Sequence, residues 1–578
     1  MRQWLARYIE RQYTRLASGE ALWQISLLGL SAGVLAGLLI VIFRLLVESV
    51  QSAWLGGNPE NYESLPYLWR FLLPLLGGIL IGVIFHVLGR NTGSVGIVHI
   101  CERLAYHEGR LPLKNALLQF VGASISLISG HSVGREGPAI HLGAAGASLI
   151  GQRARLPHNS LRILVGCGAA AAIAAAFNTP LAGVIFAMEV ILMEYTIASF
   201  MPVILAAVSA TVLMRAFYGD AAAFEVPPLA LNSPWELPYV AVMGLAIGAL
   251  AALFIYLAGG LSTRFGQRPV WARMSAAGAA TGLLALAVPE IMSTGYDSVN
   301  AALLGELGVG LLLLIVGAKL LASATAVGLG VPAGFIAPTI VIGAAAGALM
   351  GAIAEALWPQ TASSQGFYAM LGMGAMMAAT LQAPLAALTA MVELTANPQI
   401  ILPGMLAVIA SGLTCREVFG KPSLVLTLLR TRGLDYRNHP VAQALRRIGV
   451  TSVIDRSFVE SPPRLAATEA RRLLAANPQW VIVTDAQANR RFILRGAELA
   501  RYLEHAGEEA VVLGDIPAER SHWIPIEPES TLQEALEQLD NSQTDIAVVQ
   551  RARPFASAKV HGVLTRERIE ANYRLRPR

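Results

Sequence analysis

Apolar runs dominate the chain from about residue 25 to about residue 413, and their lengths and breaks predict what each forms. The runs at 25–43 and 69–88 reach the ~20 residues a helix needs to cross a bilayer. Further runs follow at about 199–217, 236–258, 271–288, 308–326, 336–357, 367–391 and 400–413. From 112 to 217 the pattern changes to short apolar pieces interrupted by Gly130, Pro138, Gly166, Asn178 and Pro180. Broken helices at membrane depth are tolerated only where they are buried in protein or line a cavity. This stretch therefore predicts a site. Ahead of the first run, residues 1–22 carry an apolar stripe of Trp4, Leu5, Tyr8, Ile9 and Tyr13 on a basic background. That pattern predicts an amphipathic helix on the cytoplasmic membrane surface, with a disordered basic leader as the alternative.

Near 420 the character flips. Gly420-Lys421-Pro422-Ser423 opens a last amphipathic piece; Arg430, Arg432, Arg437, Arg446 and Arg447 follow, and an ordinary soluble mixture begins after 440. Residues 440–578 predict two α/β modules. The second has strands at 523–526, 546–549 and 560–564, a helix with its N-cap signal at Ser530-Thr531, and a final helix opened by Thr565. The first has a helix over 466–475, strands at 480–484 and 492–494, and a helix over 497–504.

Composition turns these runs into a membrane assignment. The chain has 578 residues, 55% hydrophobic and 14% charged, with mean hydropathy +0.55, against about 25% charged in soluble domains. This is a multi-pass integral membrane protein. The net charge of +5 reflects Lys and Arg on the cytoplasmic flanks and not a nucleic-acid partner. Those flanks place both termini in the cytoplasm and make the number of full crossings even. Arg2, Arg7, Arg11 and Arg15 precede the first run without a cleavage-like site, so no signal peptide is expected. Cys101, Cys167 and Cys415 lack metal-ligand spacing and are expected as buried free thiols. No nucleophile–base or metal constellation is visible, so neither an enzyme nor a cofactor is expected.

The charged stretch inside this background is Ser132-Val133-Gly134-Arg135-Glu136-Gly137-Pro138. A carboxylate inside a membrane is costly and marks a functional site by default. Gly134 and Gly137 allow close backbone approach, and Pro138 suits the first turn of a helix beginning there. That helix aims free N–H groups and its positive dipole end at whatever lies ahead. The reading is an anion site with a titratable acid in its mouth; the alternative is an Arg–Glu ion pair in a polar loop. Two hundred residues later Gly334-Phe335-Ile336-Ala337-Pro338 repeats the break, Pro338 matching Pro138 and Gly343 matching Gly143. Phe177-Asn178-Thr179-Pro180-Leu181-Ala182 is echoed by Leu381-Gln382-Ala383-Pro384-Leu385-Ala386, and Glu189 and Glu393 each stand nine residues after the proline. Such duplicated hydrophobic halves are the sign of a repeat-built transporter with its site at the repeat interface.

Together these residues resemble the CLC family of chloride channels and proton-coupled anion exchangers, with a C-terminal pair of CBS-like modules. The resemblance is carried by Gly134–Pro138, Phe177–Glu189, Gly330–Pro338, Gly372-Met373-Gly374-Ala375 through Glu393-Leu394-Thr395, Gln399-Ile400-Ile401-Leu402-Pro403 and Gly420-Lys421-Pro422. It implies an α-helical polytopic membrane fold of two inverted halves with broken helices, assembled as a homodimer in lipid. The domains are then 1–22, a transmembrane domain over 23–438 with halves at about 23–218 and 235–438, and the cytoplasmic CBS-like pair over 439–578. It further implies that Glu136 is the gating glutamate, which occupies an anion site and leaves when protonated. Gly134, Arg135 and Gly137, with Phe335 and Ile336 of the second half, would supply backbone N–H groups to chloride or a related small anion. Backbone donors suit an ion that must bind loosely enough to leave.

Three departures from the family pattern shape the expected chemistry. The family's first motif aligns with 94–98, which puts Val95 where an ion-binding serine belongs, unless a one-residue shift restores Ser94. The inner tyrosine expected after Gly420-Lys421-Pro422 is replaced by Leu424 or Val425. The second, proton-relaying glutamate of the exchangers is Val190 here, as in the family's channels. Glu189 beside it takes a structural role at the repeat interface, like Glu393. His99, Glu102 and Glu194 remain as alternative proton acceptors. His141 is expected as a hydrogen-bonded core histidine rather than a pathway residue, and Lys319 as a structural ion pair or a snorkelling side chain. In the tail, Thr565 with Arg568 and Arg495 with Glu498 do not match the family's nucleotide pattern, so no nucleotide is expected and a dimer-stabilising role is preferred.

The sequence thus predicts a prokaryotic-type, cytoplasmic-membrane anion transporter, foremost a passive conductance gated by protonation of Glu136. An anion/proton exchanger with a non-standard internal acid is the second reading. A transport-dead sensor signalling through the tail is the third, disfavoured by the costly carboxylate.

Overall fold

The structure is a computed structural model. It describes residues 15–17, 21–57, 59–89, 95–220, 224, 226, 230–434, 440–485, 490–505, 510–518, 520–553 and 556–574. The chain forms two compact units, one of residues 25–153 and 161–436, the other of 1–24, 154–160 and 437–578. The helix expected over 1–22 lies largely outside the described residues.

In the first unit, hydrophobic length sets the helices. Among the described residues nine helices are long and apolar enough to cross a membrane, from Leu22–Trp54 to Pro398–Val418. The run at 25–43 grows to 33 residues. The run at 367–391 is corrected to two helices, Gln365–Leu381 and Pro384–Thr395. The break arises because Gln382 adopts a left-handed conformation (φ 55°) and Pro384 has no N–H with which to continue the first helix. Conversely, the interrupted stretch over 112–217 contains a full-length helix that no apolar run announced, His158–Phe177, whose apolar window is entirely buried within the protein, ahead of the expected one at Ile197–Tyr218.

The two halves interlock through their shared breaks. Glu189 accepts from the N–H groups of Leu385 (3.3 Å) and Ala386 (2.8 Å), at the start of the Pro384–Thr395 helix. Glu393 accepts from Leu181 (3.0 Å) and Ala182 (2.7 Å), at the start of the Pro180–Phe186 helix. Each carboxylate thus satisfies first-turn N–H groups of the other half, groups that no helix satisfies internally. Glu189 lies in a wide π turn, Ala187–Leu192, which carries Val190 next to it. The packing repeats as well. A side chain on Gly143 would meet the Ala172 Cβ at 2.8 Å, and one on Gly343 the Met376 Cβ at 2.8 Å, beside the carbonyls of Gly168 and Gly372 respectively. Small residues are what let helices lacking a hydrophobic driving force approach this closely.

The tail repeats one order twice. Phe458–Ser461 pairs parallel with Trp480–Asp485, which pairs antiparallel with Arg490–Arg495. Trp523–Ile526, Ile546–Arg553 and Ala556–Thr565 form the second sheet in the same sense. The helices Ala467–Leu474 and Gly496–His505 accompany the first sheet, Leu532–Ser542 and Arg566–Arg574 the second. Each module buries its own apolar set, Val481, Leu494 and Leu499 in one and Leu532, Val549 and Leu564 in the other. Residues 154–160 belong to this unit; the N–H of His158 donates to the Glu529 carbonyl (2.8 Å) and the Asn159 amide to that of Arg447 (3.1 Å). Thr531 and Glu534 form a reciprocal capping box at the start of Leu532–Ser542.

Replacing Gly334 by Ala should lower the unfolding temperature of the detergent-solubilised protein, because its Cβ would sit 2.9 Å from the Gly134 carbonyl oxygen. The expected loss is about 2 kcal/mol or more. Gly317→Ala, whose Cβ has no neighbour within 4 Å, should leave the transition unchanged. Thr531→Ala should cost about 1 kcal/mol, seen as faster hydrogen exchange across Leu532–Ser542 alone.

Candidate anion site

Two of the sequence's Gly/Pro breaks meet at one point. Gly134 and Gly334 form an antiparallel bridge, each N–H donating to the other's carbonyl at 2.7 Å. A Cβ on Gly137 would lie 2.6 Å from the Gly334 Cα, so only glycines allow this crossing. Ser323 adds a side-chain tie, donating to the Ser132 carbonyl at 2.9 Å. Two helices start beside the bridge, Glu136–Arg153 and Ile336–Leu357. Their first-turn N–H groups and positive dipole ends therefore lie close together.

Glu136 fills this seat. Its side chain is fully buried. One carboxylate oxygen accepts from the Ala337 N–H at 3.2 Å, and the other accepts from the hydroxyl of Tyr296. The backbone donor that the carboxylate reaches is thus Ala337, one residue beyond the expected Phe335 and Ile336. The reason is local: Phe335 is the N-cap, and Ala337 is the second residue of the helix it starts. Arg135 does not pair with Glu136. Its guanidinium stacks 5.1 Å from the Tyr296 ring centre and lies 3.4 Å from Glu48.

The neighbours of Glu136 line two cavities. Arg135 and Tyr296 border one of about 350 Å³, which also holds Arg44, Glu48, Glu60 and Asp297. Ala333 and Phe335 border another of about 610 Å³, with Val95, Glu102, Arg273 and Arg432. The buried carboxylate lies among groups that face both.

The remaining candidates are placed as follows. Ser94 lies outside the described residues, whereas Val95 lines the larger cavity with Gly96. Leu424 and Val425 are buried in the first turn of Leu424–Thr431, and Leu428 is the residue of that helix's apolar face that lines the larger cavity. Val190 is 4% exposed, with the Cys101 thiol donating to its carbonyl at 3.8 Å. His141 is buried and its ring contacts that of His99, Nε2 to Nδ1 at 2.8 Å. Glu102 lies 3.6 Å from Arg432, and Glu194 accepts from Ser199 at 3.5 Å. Cys101, Cys167 and Cys415 are buried and free.

Two features escaped the sequence reading. Tyr296 follows Gly295, which caps the helix Tyr296–Leu304 with φ 77° as Gly96 caps Ile97–Tyr106 with φ 82°; Gly295-Tyr296 thus echoes Gly96-Ile97, a match the Gly/Pro breaks read from the sequence did not include. Lys319 does not snorkel, and among the described residues it forms no ion pair: its ammonium donates to the carbonyls of Ile291 (2.9 Å), Ser293 (3.0 Å) and Thr294 (3.2 Å). In the tail, a cleft of about 390 Å³ is lined by Trp480, Arg495, Glu498, Thr565 and Arg566. Asp540 and Asp545, each 2.7 Å from Arg566, hold that guanidinium above its ordinary value and neutralise it.

The family model for voltage gated chloride channels matches residues 77–416. The putative chloride channel protein ClcB-like of Ralstonia nicotianae is 32% identical over 422 residues, 71% of this chain and 98% of the relative. The H(+)/Cl(-) exchange transporter ClcA of Citrobacter koseri is 30% identical over 439 residues, 74% of this chain and 91% of the relative. Among solved structures, a slow cyanobacterial Cl-/H+ antiporter aligns with a TM-score of 0.63 at 24% identity, over 71% of this chain and 98% of the other. A eukaryotic CLC transporter aligns with a TM-score of 0.61 at 19% identity, over 94% of this chain and 98% of the other. The strand-containing sheets of the tail are consistent with a CBS-like domain. The matched core, the paired breaks and the apolar helices make this chain a multi-pass membrane protein of the CLC family of chloride channels and exchangers, whose work is anion transport.

Proposed function

We propose that the protein is a passive anion conductance, with chloride or a related small anion as its ion, gated by protonation of Glu136. The observation that carries this reading is the Glu136 carboxylate, buried on the Ala337 N–H and the Tyr296 hydroxyl among groups that border two cavities. A carboxylate and an anion compete for the same donors, and a proton removes the competitor's charge. Gly134, Arg135, Gly137, Phe335 and Ile336 then line the seat the anion takes. Val95, Leu424 and Val425 offer no side-chain hydroxyl, so an inner anion site is weak. The passive part of the reading rests on Val190, an apolar residue where the exchangers of the family carry an acid.

Proton-coupled exchange is the second reading. It is favoured by the names of relatives such as the H(+)/Cl(-) exchange transporter, and by the buried contact between His99 and His141. The protein is placed in the cell membrane as a homodimer with both termini cytoplasmic, and its tail as a dimer-stabilising module without nucleotide.

Reconstitution into liposomes with anion efflux and proton movement recorded together separates the readings. The passive reading expects anion flux without uphill proton movement. It also expects Glu136→Gln to raise flux at neutral pH by about tenfold and to flatten its pH dependence, because the competing charge is gone at every pH. Uphill proton movement at a fixed ratio contradicts it in favour of exchange.

A further inference from the structure

Of the two contacts on the Glu136 carboxylate, one comes from a side chain, the Tyr296 hydroxyl, where the first half of the chain has Ile97 in the matching place after Gly96. Tyr296 opens the helix Tyr296–Leu304 directly after Gly295, which takes a left-handed conformation at φ 77°. Its ring is packed on three sides, by Phe177 (centroids 6.3 Å apart), Phe224 (5.4 Å) and the Arg135 guanidinium (5.1 Å). The ring is held there independently of its hydroxyl, and the hydroxyl donates to Glu136.

The turn that presents Tyr296 is clamped from behind. Lys319 is completely buried at the middle of Val309–Leu329, and its three donors meet three carbonyls of residues 291–294. An ammonium has three N–H donors and no acceptor, so this turn satisfies it in full. The Ser293 N–H donates to the Gly130 carbonyl (3.2 Å), tying the turn to the segment that leads into Ser132. The Thr294 hydroxyl donates to Glu60 at 2.5 Å, fixing the turn on its other side. This is a costly arrangement, because a buried cation loses its hydration. Its geometric result is that the Tyr296 hydroxyl stands where the Glu136 carboxylate ends.

We infer that Tyr296 is the latch of the gate: its hydroxyl retains the Glu136 carboxylate in the anion seat, and Lys319 positions it through the 291–294 turn. The inference rests on the reading of Glu136 as the gate. When the carboxylate leaves, the freed hydroxyl faces the cavity that Tyr296 borders and becomes a donor for an arriving anion. A hydroxyl is then present at the seat although Val95, Leu424 and Val425 supply none. Donation to a carboxylate favours its charged form, so the latch opposes protonation and opening. The other charges about the pair are Arg135, Lys319, Glu48, Glu60 and Asp297. His99 and His141, from Ile97–Tyr106 and the gate helix itself, are in contact with each other. All of these stay in place when only the hydroxyl is removed.

The test is the pH profile of anion efflux from liposomes for wild type, Tyr296→Phe, Glu136→Gln and the double variant. Tyr296→Phe keeps the ring and its packing. Without the donor the carboxylate takes a proton more readily, so half-maximal flux should move to higher pH by about one unit, the scale of a hydrogen bond to a charged group. In the Glu136→Gln background the same change should shift nothing. Replacing Tyr296 with 3-fluorotyrosine, a more acidic phenol and stronger donor, should move the profile the opposite way. A Tyr296→Phe profile lowered in height but unshifted, or a shift that survives in the double variant, overturns the latch. If Glu136→Gln itself keeps a wild-type pH profile, the gate reading fails instead, and with it the latch.

Discussion

A backbone N–H at the start of a helix has no partner inside that helix, and in hydrocarbon it cannot borrow one from water. The membrane unit is arranged around supplying acceptors to such groups. Glu189 and Glu393 do so reciprocally, each taking two N–H groups from the opposite half. Glu136 does so with one N–H and one hydroxyl. The first two are locked by paired backbone donors at fixed places. The third is held by a single backbone donor and a side chain, which is why the proposed exchange with a mobile anion is assigned to it.

The proposed exchange requires the surrounding frame to stay rigid while one side chain moves. The Gly134–Gly334 bridge provides the rigidity, since it fixes two helix starts by mutual hydrogen bonds that do not involve Glu136. Close packing at Gly143 and Gly343 extends it into both helices. Lys319 performs the same task for the 291–294 turn by gathering three carbonyls. In the proposed gate, only the carboxylate then has to move. Two cavities border its neighbours.

The parts legible in the sequence were those written in local spacing. Pro and Gly at matching offsets revealed the repeat, the helix starts and the position of Glu136, because breaks of that kind depend on a few adjacent residues. Strand and helix order in the second module of the tail was legible for the same reason, down to the Thr531 cap, whereas the first module's strand Phe458–Ser461 was missed. Hydrophobic continuity misled at 367–391, where Pro384 stops a helix that the apolar run alone would continue. Lys319 was misjudged because a lone cation in an apolar run suggests a carboxylate partner or a route to the interface. Its acceptors are carbonyls of a turn some 25 residues away, which no side-chain pattern announces. Tyr296 stands at the end of that same turn; the helix start at Gly295 echoes Gly96 in the sequence, but the approach of the Tyr296 hydroxyl to Glu136 is set by long-range packing.

The central claim is that carboxylate and anion compete for one set of donors, and bromide tests it most directly. Crystals of wild type and of Glu136→Gln, soaked in bromide at neutral pH, would be compared by anomalous diffraction. The account predicts a bromide peak in the variant within hydrogen-bonding distance of the Ala337 N–H and the Tyr296 hydroxyl, where the wild-type carboxylate sits, and no peak there in the wild type. Equal occupancy of that position in both proteins, or bromide bound only elsewhere in the variant, would contradict it.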